Sequence, residues 1–428
     1  MKRTRHIPLA LLAGGLTLAL AACGGGSSTA GASSGGSDSK NLEVFSWWTS
    51  GSESAALKAM FDGYSKANPG INVVNGAVAG GGGSNAQAVL QTRLQGGNPP
   101  DIWQTHPGAA IKQYIDGGLV GDASSVYTSE VKAAIPKDLV DAISADGKQY
   151  GVSAGAHRGN VLWFNKQLLE KAGVAAPGPS GYSTETFLAD LAKLKSAGVV
   201  PLCLGGKDTF AVAELFENTL LGSLGADGWK QLTTGGAKWD SDKVKEAAAN
   251  TAKMLQYADP DASALSWDQA TKKLAAGSCA FESMGDWAYG ELVKDGAQPG
   301  TTFGYTNHPG TDGTFIAVVD TMVMAKNAKN PTQAEKFLEA VASKEVQLAF
   351  NKEKGSVPLR TDVDVSSLSA YQQQAAKSFA SDAIVQSVVH GEAMNPQFGQ
   401  ALFDAVTQFT QSKDVNGFTQ ALANAAQS

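Results

Sequence analysis

Two features typical of nucleic-acid-binding and membrane-spanning proteins are missing from this sequence. Its 34 lysines and arginines are outnumbered by 40 aspartates and glutamates, and no basic stripe with interleaved aromatic residues runs along the chain. From Asn41 onward no apolar run is long enough for a transmembrane helix, and no internal repeat is present. The composition therefore argues against nucleic acid as a partner and predicts a globular body large enough for two domains.

Sequence motifs of metal centres, cofactor sites and hydrolases are also absent. The histidines after residue 22 show no HExxH spacing, and no CxxC pair occurs. The glycine-rich run at Ala79–Ala86 lacks the lysine and Ser/Thr of a P-loop and the spacing of a dinucleotide fingerprint. No GxSxG elbow supports a serine hydrolase. We expect no metal and no cofactor, and the sequence does not point to an enzyme.

The first 22 residues have the pattern of a secretory signal. Lys2, Arg3 and Arg5 precede the apolar run Ile7–Leu20, and small residues follow. The segment LAAC, ending at Cys23, resembles the lipobox of bacterial lipoproteins, which implies a lipid on Cys23. The alternative is an ordinary signal peptide cleaved nearby, with a chance cysteine.

The segment Gly24–Lys40 after Cys23 has the composition of a flexible tether, because it contains no apolar residue larger than alanine. A chain of this kind would hold the body about 20–25 Å from its anchor. Cleavage before Cys23 removes three basic and no acidic residues, leaving 31 basic against 40 acidic. This charge disfavours binding to an anionic lipid surface, so attachment to a membrane requires the covalent anchor.

The first part of the body alternates between strand and helix patterns. Strands are predicted for LEVFSWW, for INVVNGAV and for DIWQT, and helices for Glu53–Ala67 and Asn85–Leu94. This succession predicts a parallel α/β sheet.

The middle of the chain shows the same alternation of strand and helix patterns. NVLWFN, VVPLCLG, CAFESMGD and IAVVDTMVMA are read as strands, STETFLADLAKLKSAG as a capped amphipathic helix, and the chain from Pro331 as mostly helical. Two α/β lobes on one chain leave a cleft between them, where a ligand site is expected at the carboxyl ends of the strands.

Seven segments carry a resemblance to a known family, and they extend over almost the whole chain after the signal: FSWW, GGNPPDIWQTHPG, HRGNVLWF, LSWDQA, MGDWAYG, KGSVPLR and VVHGEAMNP. Together with the lipobox they resemble the extracellular solute-binding lipoproteins of carbohydrate ABC importers, in particular the glucose/galactose-binding members. The resemblance implies a two-lobed periplasmic-binding-protein-like fold of type II with three hinge crossovers. Lobe boundaries of 41–153 plus 314–357 and 154–313 plus 358–428 follow, with crossovers near 152–155, 309–314 and 357–359.

The same resemblance implies a function. The protein is expected to be a monomer on the outer face of the cell membrane that captures a monosaccharide of the glucose, galactose or mannose type. Closure of the lobes on the sugar would present it to ABC permease subunits. Two alternatives remain: a secreted glycoside hydrolase using Glu53 and Asp286, and a binder that presents sugar to a chemoreceptor or sensor kinase.

A sugar-binding site needs an aromatic ring that packs against the C–H face of the sugar and polar groups that bind its hydroxyls. The matching segments contain both. In the first lobe we expect Trp48 in the cleft with Trp47 packed beneath it, although both indoles could lie in core packing. Glu53 would accept hydroxyl protons, and Gln104 and His106, two apart on a strand, would face one ligand together.

The second half of the chain contributes a further set of candidates. Trp267 is either a core residue at a helix start or a second aromatic ring that covers the sugar. Asp286 and Trp287 are expected at the end of a strand, where the Asp286 carboxylate would face the ligand and bind its hydroxyls. Lys354 and His390 each precede a glycine, where backbone can approach a ligand closely. His157 and Arg158 could line the cleft or hold the hinge, and Glu392 could be a surface acid that docks the permease.

Two cysteines, Cys203 and Cys279, remain if Cys23 carries lipid. Both are predicted on strands of the second lobe, where neighbouring strands could bring them within bridging distance. The sequence leaves a disulfide and two separate buried thiols as equal alternatives.

Overall fold

A computed structural model of the protein describes residues 40–80 and 83–427. The expected signal peptide, the lipidation of Cys23 and the tether up to residue 39 lie outside the described residues. Strand and helix boundaries below refer to the described part of the chain.

The described residues contain twelve strands, numbered in chain order: β1 Asn41–Phe45, β2 Asn72–Asn75, β3 Ile102–Thr105, β4 Ser144–Ala145, β5 Lys148–Gln149, β6 Val152–Arg158, β7 Val161–Asn165, β8 Phe281–Ser283, β9 Phe303–Asn307, β10 Thr314–Met324, β11 Val357–Pro358 and β12 Ala383–Gln386.

Sixteen α-helices accompany them: α1 Gly51–Ala67, α2 Ser84–Gln95, α3 Ala109–Asp116, α4 Ser129–Ala133, α5 Lys137–Asp141, α6 Lys166–Lys171, α7 Thr184–Ser196, α8 Thr209–Thr233, α9 Asp242–Leu255, α10 Trp267–Ala275, α11 Trp287–Lys294, α12 Pro331–Val341, α13 Lys344–Lys354, α14 Ala370–Ser381, α15 Pro396–Ser412 and α16 Val415–Ala425. Helix α8 is kinked at Gly225, whose φ is 67°.

The larger sheet has the strand order β11-β6-β10-β3-β1-β2, with β12 also paired to β10. The parallel pairing expected near the start of the body is confirmed, because β1 pairs in parallel with both β2 and β3. Strand β10 runs antiparallel to β3 and β6, so the sheet is mixed. Ten of the eleven residues of β10 are buried, which explains its nearly continuous apolar sequence.

The helices form where the sequence pattern predicts them. In α1 the apolar residues Ala56, Leu57, Met60 and Tyr64 recur at three-to-four spacing and are buried. Helix α7 begins after Ser183, whose side chain accepts a hydrogen bond from the backbone N–H of Thr186. One face of each helix is therefore buried: α1 packs mainly against α13, and α7 contributes Phe187 to the apolar cluster at the second sheet.

The second sheet has three antiparallel strands in the order β8-β7-β9. A separate apolar cluster packs against it, including Leu162, Phe164, Phe187 and Phe281. The strand expected for VVPLCLG is wrong, since only Leu202 makes isolated bridges there, to Ala258 and Phe281. The physical reason is Pro201, which has no N–H to donate to a ladder.

Cys203 and Cys279 are joined by a disulfide in the structure, with their Cα atoms 5.5 Å apart. The backbone N–H of Cys203 donates to the carbonyl oxygen of Phe281, at the edge of the second sheet. Of the two alternatives that the sequence left, the structure has the bonded one.

The three expected crossover segments lie on or next to adjacent strands of the larger sheet. Segment 152–155 belongs to β6, segment 309–314 ends at the start of β10, and segment 357–359 contains β11. These three strands are neighbours, with β6 between the other two. The segments do not share one end of the sheet: Val152 pairs with Met322 and Arg158 with Ala317, so segments 152–155 and 309–314 lie at opposite ends of the antiparallel β6–β10 ladder.

Candidate functional site

A cavity of about 700 Å³ lies where the carboxyl ends of β1 and β3 approach the starts of α8, α10 and α11. Nine of the twelve ligand-contact candidates named from the sequence line it: Trp47, Trp48, Glu53, His106, His157, Trp267, Trp287, Lys354 and His390. Gln104, Arg158 and Asp286 do not line it. Segments far apart in sequence thus converge on one concave site.

The paired indoles of Trp47 and Trp48 both reach the cavity but differ in burial. Trp48 is 1% exposed, and its ring packs against Phe350 with centroids 5.1 Å apart. Trp47 is half-buried and lies against His106, with ring centroids 5.3 Å apart. The expected order, with Trp47 packed beneath Trp48, is therefore reversed, because the chain turns after Phe45 and no longer alternates as a strand.

Glu53 and Lys354 form a buried ion pair at the cavity wall. The Lys354 ammonium donates to Glu53 Oε1 at 2.8 Å and lies 5.7 Å from the centroid of the Trp48 ring. Lys354 is 2% exposed. Burial raises the pKa of Glu53, and the attraction of Lys354 opposes that rise. The pair brings an acceptor and a donor together beside an indole, as hydroxyl recognition requires.

His106 has one defined tautomer. Its Nδ1 lies 2.9 Å from the carbonyl oxygen of Val319, and because a carbonyl only accepts, Nδ1 carries the proton. Burial lowers the pKa of His106, so the ring is neutral and its Nε2 is an acceptor. Gln104, expected beside it, lies behind the wall: its amide donates to Asp320 Oδ1 at 2.6 Å and its Oε1 accepts from the backbone N–H of Trp47.

Asp286 is not on the wall, which corrects the prediction that this acid faces the ligand. It is fully buried and accepts hydrogen bonds from His157 Nδ1 at 2.6 Å and from the Arg158 backbone N–H at 3.0 Å. The chain turns into α11 at this residue instead of continuing as a strand, so the carboxylate is directed back at β6. His157, which does line the cavity, separates Asp286 from it.

Asp320, in the middle of β10, is a wall acid that was not predicted from the sequence. Its Oδ2 lies 3.4 Å from His157 Nε2, so His157 is held between two carboxylates. Burial raises the pKa of Asp320, but His157, His106 and Lys354 outweigh it and hold that pKa below its usual range. The available signal was one charged residue inside the apolar run IAVVDTMVMA.

Two further aromatic side chains, Trp267 and Trp287, line the cavity near the second sheet. Trp267 is the first residue of α10, and its backbone N–H donates to Asp208. The Trp287 ring makes edge contacts with His157 and His390, each at 5.4 Å between centroids. The sequence also missed polar wall residues from other loops and helices, among them Lys207, Asp208, Asn85 and Asp404.

Arg158 does not line the cavity, so of its two expected roles only that of holding the hinge stays open, and Glu392 is not at the surface where it was expected. Arg158 is 4% exposed and its guanidinium donates to the Thr314 carbonyl and approaches Asp382, near a smaller hollow of about 240 Å³. Glu392 is not a surface acid: it is 2% exposed, and its Oε1 accepts from the Val319 N–H at 2.7 Å.

The position of His157 between two carboxylates predicts a pH-dependent contribution to stability. Burial and the charge of Lys354 lower the pKa of His157, but Asp286 and Asp320 outweigh them, and its pKa stands above the usual value. Its contribution should therefore be complete below about pH 6.5 and be lost as the pH rises through the raised folded-state pKa. Urea unfolding of the wild type and of His157→Gln should give a stability difference that shrinks with rising pH.

His308→Gln is a control for which the stability difference from the wild type should change with pH in the opposite direction. Burial lowers the pKa of His308 to about 3, so the wild type should gain stability relative to this variant as the pH rises toward about 6.5. Equal slopes for the two variants would contradict the assignment of a protonated His157.

Within residues 40–80 and 83–427, no helix combines the length and apolarity needed to cross a membrane. In the same part of the chain no three His, Cys, Asp or Glu side chains are grouped so that they could hold a metal ion.

Comparison with known proteins identifies the family of the chain. The family model described as bacterial extracellular solute-binding protein matches residues 48–348. An uncharacterised ABC transporter extracellular-binding protein of Pyrococcus horikoshii is 32% identical over 98% of this chain and 96% of its own length. A probable sugar-binding periplasmic protein of Rhizobium meliloti is 33% identical over 86% of this chain and 89% of its own.

Among solved structures, a bacterial solute receptor described as having an exclusive preference for β-D-galactopyranose superposes with a TM-score of 0.77. It is 17% identical, and the match covers 90% of this chain and 97% of the receptor. This likeness concerns the fold, and it confirms the two-lobed α/β architecture expected from the sequence.

Proposed function

Because this chain belongs to the bacterial extracellular solute-binding protein family, we propose that it is the sugar-binding component of an ABC importer. The observation that carries the proposal is the cavity wall, where indoles lie beside buried carboxylate, imidazole and ammonium groups. Aromatic plates match the C–H faces of a pyranose, and the charged groups match its hydroxyl edges. The names of the relatives, which include sugar-binding periplasmic proteins, support the same class of ligand.

The proposed ligand is a monosaccharide of the glucose, galactose or mannose type. His106, Lys354 and His390 lie on the same wall as Trp47 and Trp48, so hydrogen-bond donors and acceptors surround one aromatic site. Polar groups of this kind discriminate hydroxyl orientation, because a mismatched hydroxyl leaves one of them unpaired in a buried site.

Delivery would follow from closure of the two lobes. Lobes with boundaries 41–153 plus 314–357 and 154–313 plus 358–428 would rotate about the adjacent strands β6, β10 and β11. The closed, sugar-filled form is the state that membrane permease subunits would recognise. We further propose that a lipid on Cys23 and the tether behind it keep a monomeric protein at the outer face of the membrane.

The contacts of Glu53 and Asp286 argue against the hydrolase alternative. Glu53 is paired with Lys354 at 2.8 Å, and Asp286 lies behind His157 rather than on the wall. Neither carboxyl group is therefore available as the acid or nucleophile of a glycosidase pair. The family to which the chain belongs consists of transport binding proteins, which supports binding without turnover.

Isothermal titration calorimetry against glucose, galactose, mannose, xylose, maltose and lactose tests the proposal. At least one hexose should bind with a Kd in the micromolar range or tighter, and the disaccharides should bind more weakly. Trp267→Phe, on the wall, should lose about tenfold in affinity, since a smaller ring covers less of the sugar face.

Trp239→Phe is the matched control, because Trp239 packs against Phe398 and does not line the cavity. Its affinity should stay within about twofold of wild type. Absence of binding by every sugar would refute the proposed function, and tighter binding of a disaccharide would replace its ligand class.

A further inference from the structure

The turn between β12 and α15 that carries His390 is held by a carboxylate from another part of the chain. Glu217 lies within α8 and is 2% exposed. Its Oε1 accepts from the backbone N–H groups of Val388 at 2.6 Å and Val389 at 3.1 Å. The Ser387 hydroxyl lies 3.1 Å and 3.0 Å from its two oxygens.

Ser387 connects that carboxylate to the imidazole of His390. Its Oγ accepts from the His390 backbone N–H at 3.1 Å and lies 2.9 Å from His390 Nδ1. A serine hydroxyl has one proton to donate. If that proton goes to the Glu217 carboxylate, Oγ can only accept from the imidazole, so Nδ1 must carry the ring proton.

We propose that Glu217 and Ser387 hold His390 as the Nδ1-protonated tautomer, so that its Nε2 meets the sugar as a hydrogen-bond acceptor. The inference rests on the proposed function of the cavity, whose wall includes His390. Glu217 touches no ligand in this scheme and acts as a positioning residue. In this scheme Glu217 determines whether His390 Nε2 accepts or donates the hydrogen bond to the sugar.

His106 provides the comparison within the same site. Its Nδ1 donates to a backbone carbonyl, which has no proton to exchange, so its tautomer cannot be reversed. The His390 partner is a hydroxyl, which can donate as well as accept. The rings of His106 and His390 are 5.5 Å apart, so a fixed acceptor and a reversible one face neighbouring parts of the ligand.

Protonation of Glu217 would reverse the direction of the two hydrogen bonds that join Glu217, Ser387 and His390. Since Oε1 accepts two backbone N–H groups, the added proton belongs on Oε2, from which it can be donated to Ser387 Oγ. The serine proton then turns to His390 Nδ1, and the ring proton moves to Nε2. His390 Nε2 would change from a hydrogen-bond acceptor to a donor without any change in the charge of His390.

The surroundings support such a titration in an accessible range. Burial raises the pKa of Glu217 to about 7, against the lowering effect of the backbone N–H groups of Val389 and Val388 and of the Ser387 hydroxyl. Burial and His106 lower the pKa of His390, which keeps its ring neutral. The other ionisable groups that act on Glu217 or His390 are Glu214, Glu392, His157, Asp320 and Lys354.

Long-range ¹H–¹⁵N NMR of ligand-free protein labelled at histidine measures the tautomer directly, with His390→Asn used to assign the signal. At about pH 8.5 the wild type should have a protonated Nδ1 on His390 and should shift toward protonated Nε2 below about pH 7. Glu217→Gln should show protonated Nε2 at every pH. Its amide oxygen must face Val388 and Val389, so its NH₂ donates to Ser387.

Glu282→Gln is the matched control, because Glu282 is also a buried glutamate bonded to a hydroxyl, that of Thr271, but has no contact with His390. It should leave the His390 tautomer unchanged. A wild type with protonated Nε2 at pH 8.5, or the same tautomer in Glu217→Gln and wild type, would overturn the proposal. Since this measurement needs no ligand, it is independent of whether the protein binds sugar.

Sugar analogues supply the second readout. A fluorine accepts hydrogen bonds but cannot donate, so one monodeoxyfluoro derivative of glucose or galactose should bind the wild type at least tenfold more weakly than its parent. In Glu217→Gln the same ratio should fall toward one, because Nε2–H can donate to fluorine. Ratios that are equal in the two proteins at every ring position would contradict the assigned polarity.

Discussion

Lys354→Met is expected to weaken sugar binding by at least 100-fold and to lower the free energy of unfolding by about 3–5 kcal/mol. The substitution removes the partner of Glu53 at a site where Glu53 is 9% exposed, so a carboxylate is left buried without its counter-charge. It also removes the ammonium above the Trp48 ring. Calorimetry gives the loss of affinity and urea unfolding gives the loss of stability.

The double variant Glu53→Gln/Lys354→Met separates the two effects. Without the carboxylate there is no uncompensated buried charge, so most of the stability should return, whereas the sugar contacts of both groups remain absent. Lys58→Met is the surface control: Lys58 pairs with Asp62 at 2.6 Å, but both side chains are exposed, so its effect should stay below about 1 kcal/mol with affinity unchanged. Sugar binding at wild-type strength in Lys354→Met would remove this lysine from the site.

Asp320→Asn is expected to reduce sugar affinity by about 10- to 100-fold, the cost of losing a charged hydrogen bond. Asp320 lies on the cavity wall, where its carboxylate also accepts from Gln104 and approaches His157. An asparagine retains the shape but removes the charge that balances Lys354 and His157. Calorimetry with the sugar identified in the panel measures the change.

Asp286→Asn is the matched comparison, because this carboxylate lies on the other side of His157 and has no share in the wall. It should lose more stability than affinity, since it breaks contacts to His157, to the Arg158 N–H and to the Tyr371 hydroxyl. A larger loss of affinity in Asp286→Asn than in Asp320→Asn would reverse the assignment of the ligand-facing acid.

Residue spacing predicted the first elements of the body, and the resemblance to a family supplied most of the site candidates. The apolar spacing in Glu53–Ala67 predicted α1, and the alternation of strand and helix predicted the parallel pairing of β1 with β2 and β3. Trp47, Trp48, Glu53, His106, Lys354 and His390 were named from segments that resemble a family, and all line one cavity. The predictions of α1 and of the parallel strand pairs are confirmed because they depend on local periodicity.

The sequence did not predict the direction in which the Asp286 and Asp320 side chains point. Asp286 was expected to continue a strand, but a helix begins there, and the turn directs its carboxylate toward His157. Asp320 was read as part of an apolar strand, and only the pairing of β10 with β3 and β6 brings it to the wall. Both differences arise because the direction of a side chain depends on backbone angles and strand neighbours contributed from elsewhere in the chain.

The sequence by itself determined that this protein has a two-lobed α/β body with indoles and polar side chains suited to a sugar. The tertiary structure decided which polar group meets the cavity and which supports it, as with Glu217 and Ser387 behind His390. The physical reason is that local propensity specifies helices and strands, whereas the surroundings of a polar group depend on contacts such as that of Ser387 with Glu217, which is 170 positions away in the sequence.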